Sequence, residues 1–151
     1  MPVSDAYNFK AVNDKLSTSG LLSPEQLGDL SGEGYQAVIS LLPSDNEWAV
    51  PDEPAIVSAQ GLDYGYIPVD FEAPSREDYQ AFEQAMAANG EKKLLVHCAA
   101  NYRVSAFYGV YAVKHLGWTT QQAYAFIAEI WNLEEYPVWQ QFVNELLAET
   151  P

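Results

Sequence analysis

The chain has one cysteine, Cys98, so it can hold no internal disulfide, and that cysteine with two histidines, His97 and His115, makes no recognisable zinc spacing. No metal is expected. Basic side chains are scarce too: seven lysines and arginines stand against 21 aspartates and glutamates, a net charge of −14. Such a field repels nucleic acid and anionic membrane, and neither is expected as a partner. The acidic residues are scattered rather than blocked, which reads as a solvated surface. No apolar run reaches transmembrane length, and residues 1–10 lack the apolar core of a signal peptide. The expectation is therefore a cytoplasmic protein, or a periplasmic one if a leader has been removed. Internal repeats and low-complexity stretches are missing as well.

What is present suits one globular domain, residues 1–151, with 48% hydrophobic content and hence a real core. Ala11 to Thr18 reads as a short edge strand. Ser23-Pro24-Glu25-Gln26 supplies an N-cap, a proline at N1 and a glutamine at N3, which predicts a helix to about Ser31. Tyr35 to Leu42 reads as a strand, Glu47 to Pro54 as a loop without period, Pro54 to Gln60 as a short helix closed by Gly61, and Tyr64 to Val69 as a strand that Pro68 ends. Ser75 caps a helix with Tyr79, Phe82 and Met86 inward. Thr119 or Thr120 caps another reaching about Trp131, and Pro137 starts a last one with Val138, Phe142 and Leu146 on one face. Strands alternating with helices predict an α/β fold with a central, mostly parallel sheet of four to five strands flanked by helices.

The chemistry concentrates in Leu94-Leu95-Val96-His97-Cys98-Ala99-Ala100-Asn101-Tyr102-Arg103-Val104-Ser105. It reads as a buried strand, a tight loop and a helix. Such a loop aims several backbone amides at one spot with the positive end of the helix dipole behind them, a place for an anion. Cys98 at the mouth of the loop is favoured as thiolate, a nucleophile, by those amides and by Arg103. Arg103, in the first helical turn, can fold back and grip two oxygens of a tetrahedral oxyanion such as phosphate or sulfate. The amides of Ala99, Ala100, Asn101 and Tyr102 line the expected anion site. His97 reads either as a partner within the loop that lowers the thiol pKa or as a satisfied core histidine.

His97-Cys98-x4-Arg103 resembles the H-C-x5-R-[ST] signature of the cysteine-dependent protein tyrosine and dual-specificity phosphatases. The wider chain is similar to a bacterial branch of that superfamily, once grouped as a domain of unknown function beside β-lactamase-hydrolase-like proteins. The similarity takes in Leu16 to Gly20, Ser23 to Leu27, Gly34 to Leu41, Tyr66 to Asp70 and Val96 to Arg103, in that order. Two departures stand out: four residues rather than five separate Cys98 from Arg103, and Val104 replaces the usual serine or threonine that helps the thiolate leave.

The resemblance implies hydrolysis of a phosphate monoester, free or on a phosphoprotein, through a phosphocysteine and without a cofactor. Asp70, in the run Pro68-Val69-Asp70-Phe71-Glu72-Ala73-Pro74, resembles the family's general acid, with Glu72 as runner-up. The rule that ligands collect beyond the carboxyl ends of parallel strands puts the loops after Val69 and His97 on one rim, so that Asp70 and Cys98 can approach each other. Two alternatives stay open. C-x4-R is also the loop length of rhodanese-type sulfurtransferases, and Val104 suits a pseudo-phosphatase that binds phosphate or a phosphoprotein without turnover.

Overall fold

A computed structural model describes residues 2–149; residues 1, 150 and 151, at the ends of the expected domain, lie outside it. Five strands form one sheet: β1 (Lys10–Ala11), β2 (Leu16–Ser19), β3 (Ala37–Ser40), β4 (Asp63–Tyr66) and β5 (Leu94–His97), in the order β1-β2-β5-β3-β4. Only β1 runs antiparallel to its neighbour. This is the mostly parallel α/β sheet expected.

The central strand β5 is buried along its whole length, as its unbroken apolar run requires. Its side chains alternate between two layers of core. Leu94 and Val96 join Ala37 and Ile39 on the face covered by α3 (Arg76–Ala88), α4 (Tyr102–His115), α5 (Thr120–Ala128) and α6 (Pro137–Ala148). Leu95 and Val38 point the other way, toward α1 (Pro24–Gly28) and α2 (Glu53–Ser58). Among the described residues no helix is long and apolar enough to cross a membrane.

Local chemistry accounts for most boundaries. The Ser23 hydroxyl accepts from the Gln26 amide while the Gln26 side chain accepts from the Ser23 amide, a complete capping box. Thr119 and Gln122 repeat the arrangement at α5. β4 stops at Tyr66, two residues before Pro68.

Three expectations need correction. Ala11 to Thr18 is a hairpin rather than one edge strand, because Asn13 turns the chain: its side-chain oxygen accepts from the Lys15 amide at 2.8 Å. That turn moves β2 inward beside β5. α1 is shorter than expected, ending at Gly28, and a separate 3-10 turn covers Ser31–Glu33. On α6 the buried residues are Trp139, Val143, Leu146 and Leu147, whereas Val138 is 53% exposed. Trp139 claims the core position because it is the larger group to bury.

Candidate active site

The loop from β5 into α4 lies at the carboxyl end of the sheet. Cys98 continues the ladder past β5, its amide donating to the Ser19 carbonyl at 3.3 Å. The carbonyls that follow are turned outward. Leu21 donates to the Ala99 carbonyl at 2.9 Å, and the Asn8 side chain donates to the Ala100 carbonyl at 2.9 Å. Asn101 takes a left-handed backbone conformation, φ 67°, which asparagine tolerates better than most residues. Its buried side-chain nitrogen donates to the Asn8 carbonyl at 2.8 Å and to the Thr18 hydroxyl at 3.0 Å, so the Asn8 and Asn101 side chains clasp the two segments together, one on the Ala100 carbonyl and the other on that of Asn8.

Gly20 lets the strand beside this loop come close. A Cβ there would lie 2.6 Å from the Ala99 carbonyl oxygen and 2.9 Å from the Ala100 Cα. With the carbonyls held outward and an antiparallel bridge pairing Ala100 with Gly20, the amides of residues 99, 100 and 102–104 find no acceptor among the described residues. Unpaired donors gathered at a helix start are what an anion site is made of.

Arg103 is 93% buried. Its Nε donates to the Val69 carbonyl at 3.0 Å, and its guanidinium lies 5.1 Å from the Phe71 ring centroid. Among the described residues its two terminal nitrogens have no hydrogen-bond partner, and the residue lines a cleft of about 620 Å³ together with Asp45, Tyr66, Asp70 and Phe71. The residue that shares the cleft with Asp70 is thus Arg103 and not the expected Cys98. Asp70 is exposed, and its carboxylate accepts from the Glu72 amide at 2.9 Å in a tight turn; Glu72 is exposed and faces a neighbouring concavity instead.

Cys98 is not part of that lining. It is fully buried among the apolar residues beneath α4, and Ala99, Ala100, Asn101 and Tyr102 do not line the cleft either. Tyr102 instead stacks on Trp131 at 4.4 Å between centroids, and burial, then Tyr136, pushes its hydroxyl pKa up. Ser105 offers no substitute for the missing hydroxyl at Val104, since it donates to the Tyr102 carbonyl and accepts from Trp131 Nε1.

The loop carrying Asp70 is pinned from the far end of the chain. Trp139 Nε1 donates to the Phe71 carbonyl at 2.8 Å, and the Phe71 ring packs among Tyr102, Trp131, Tyr136 and Trp139 at centroid distances of 5.6 to 6.3 Å.

Beneath the loop lies a buried polar chain that sequence reasoning missed. Glu53, at the start of α2, is 5% exposed, and its Oε2 accepts from His97 Nε2 at 2.5 Å and from the Tyr64 hydroxyl at 3.0 Å. The other His97 nitrogen, Nδ1, donates to the Cys98 carbonyl at 3.2 Å. Both ring nitrogens of this fully buried imidazole thus face oxygen atoms. Burial, and next the Glu53 charge, push the Tyr64 pKa well up. The only sequence signal for Glu53 is its place before Pro54 at a helix start, one acid among many. His115 bonds Glu83 at 2.7 Å on the surface, away from this chain.

No family model matches the sequence. A beta-lactamase hydrolase-like protein of Agrobacterium fabrum is 30% identical over 100 residues, 64% of this chain, and the chain spans 23% of that relative's length. A candidate phosphatase of the DUF442 family from Shewanella putrefaciens CN-32 is 37% identical, with a TM-score of 0.86 over 97% of this chain and 92% of its own. P. aeruginosa TpbA, solved in complex with phosphotyrosine, has the same fold at 17% identity and a TM-score of 0.71, over 93% of this chain and 88% of its own.

Proposed function

Because the chain belongs to the DUF442 family of phosphatase-like proteins, we propose that it hydrolyses a phosphate monoester through a phosphocysteine on Cys98. One observation carries this reading. A buried arginine whose terminal nitrogens make no hydrogen bond to the described residues stands beside the unpaired amides of the β5–α4 loop, a matched set of donors for a tetrahedral dianion.

In the proposed reaction the phosphate rests on those unpaired loop amides with Arg103 holding two of its oxygens. The Cys98 thiolate attacks phosphorus, a sulfur–phosphorus bond forms, and the ester bond to the leaving oxygen breaks. Asp70, at the cleft edge, gives its proton to that oxygen. Water then attacks phosphorus, passing a proton to Asp70 as the sulfur–phosphorus bond breaks and the thiolate returns. His97 holds the Cys98 carbonyl from below and touches no substrate.

Binding without turnover is favoured by one observation, the full burial of Cys98 outside the cleft lining. Para-nitrophenyl phosphate separates the readings. We expect vanadate-sensitive hydrolysis that needs no added metal and is lost in Cys98→Ser. Asp70→Asn should cost about two to four powers of ten on a phosphotyrosine ester and distinctly less on the nitrophenyl ester, whose leaving group departs without a proton. Phosphate binding with no hydrolysis would leave the binding module, and a persulfide on Cys98 after thiosulfate, seen in intact mass, would move the chain to sulfur transfer.

A further inference from the structure

The phosphate site is cationic at one point and acidic around it. Arg103 is the one basic residue lining the cleft, which it shares with Asp45 and Asp70. A second concavity of about 320 Å³ has Phe71 in common with the cleft and is walled by Glu72, Glu135, Tyr136 and the exposed Val138, again with no basic side chain. None of the six other lysines and arginines lines either concavity: Lys10 pairs with Glu129, Lys92 with Asp63 and Arg76 with Glu149, and Lys93 donates to the Glu33 carbonyl.

A dianionic phosphate can be met by Arg103 and the loop amides. Whatever flanks that phosphate meets the carboxylates of Asp45, Glu72 and Glu135, besides the Asp70 acid that serves the leaving oxygen. Like charges placed together oppose binding, so a second phosphate or an acidic neighbour is disfavoured and a cation is favoured. The second concavity has the form a long basic side chain fits: an apolar wall from Val138 and the Tyr136 ring for the methylene stem, and Glu72 and Glu135 for the charged end.

The spacing agrees with a peptide. Asp70 borders the cleft and Glu72 the second concavity, and residues two apart in a chain have Cα atoms at most ~7 Å apart. Side chains one or two positions apart on an extended peptide span about the same distance. Resting on the phosphatase reading above, we propose that the substrate is a phosphorylated peptide segment with a lysine or arginine one or two residues from the phosphorylated one, the basic side chain seated between Glu72 and Glu135.

The test uses the full chain and three phosphotyrosine peptides that differ only in the residue two places on: lysine, alanine or glutamate. The expected order of kcat/KM is lysine above alanine above glutamate, with about tenfold between the extremes at low salt and the spread shrinking as salt screens the field. Glu135→Gln should remove most of the lysine advantage while leaving para-nitrophenyl phosphate hydrolysis unchanged. If that small ester is hydrolysed but the three peptides fall within twofold, or the glutamate peptide is best, the charge preference is wrong and the phosphatase reading survives. If nothing is hydrolysed, calorimetry with phosphonate versions of the three peptides decides. The same order of affinity supports the basic-peptide site, whereas equal affinity, or no binding at all, overturns it.

Discussion

Removing the Glu53 carboxylate should be one of the more damaging single changes in this protein. Glu53 lies at the sheet edge of α2 with 5% exposure, and one of its oxygens, Oε2, accepts from both His97 and Tyr64. Glu53→Ala leaves the fully buried His97 Nε2 and the Tyr64 hydroxyl without an acceptor. Each abandoned donor costs about 1–3 kcal/mol, so losing the acceptor of both costs roughly 2–6 kcal/mol. For a chain of this length each kcal/mol moves Tm by about 2–4 °C, so a fall of roughly 10 °C is expected. Glu53→Gln is the informative control. Because both donors converge on one oxygen, an amide oxygen can accept both, and the loss should be limited to about 1 kcal/mol for the missing charge. Thermal and urea unfolding at pH 7 measure both variants. A Glu53→Ala protein within 1 kcal/mol of the parent, or a Glu53→Gln protein as weak as Glu53→Ala, would refute the network as described.

Gly20→Ala should destabilise by about 1–3 kcal/mol and weaken phosphate binding as well, since the added methyl meets the Ala99 and Tyr7 backbone rather than a flexible side chain. Melting temperature together with phosphate titration checks this; unchanged anion affinity would count against the close approach. Alkaline pH should unfold the protein early. Burial raises the hydroxyl pKa of Tyr35, Tyr64, Tyr79 and Tyr108. The folded state therefore keeps protons that unfolded tyrosines release near pH ~10. Stability from this source is intact below that pH and lost as pH rises above it, so urea midpoints should drop steadily beyond pH ~10 and a flat profile to pH ~11.5 would contradict it.

The fold was largely legible because its signals are local. Leu94 to Val96 announces a strand buried on both faces, Ser23 with Gln26 a capped helix, and Pro68 the end of β4, each within a few residues. The β1–β2 hairpin hid behind Asn13, whose turn-making depends on how its side chain folds back on its own backbone. At the site, the rim rule anticipated Asp70 beside Cys98, whereas the residue sharing the cleft with Asp70 is Arg103, 33 positions on. What stayed hidden depends on partners distant in sequence. Glu53 among 21 acids looks like solvated surface until His97, 44 positions on, is placed beside it. The outward carbonyls of Ala99 and Ala100, the Asn8–Asn101 clasp and the depth of Cys98 are likewise set by segments whose proximity only the packed sheet creates.

The hydrogen bond from Trp139 to the Phe71 carbonyl has a consequence for biosynthesis. Every strand of the sheet has left the ribosome by the time residue 97 has, and the β5–α4 loop follows at once. The segment that seats Phe71, and with it the stretch bearing Asp70, belongs to α6 and is translated 68 residues after the carbonyl it holds. A domain folds as a unit. The cleft is therefore complete only once α6 has been made, and until then the stretch bearing Asp70 lacks its fastening.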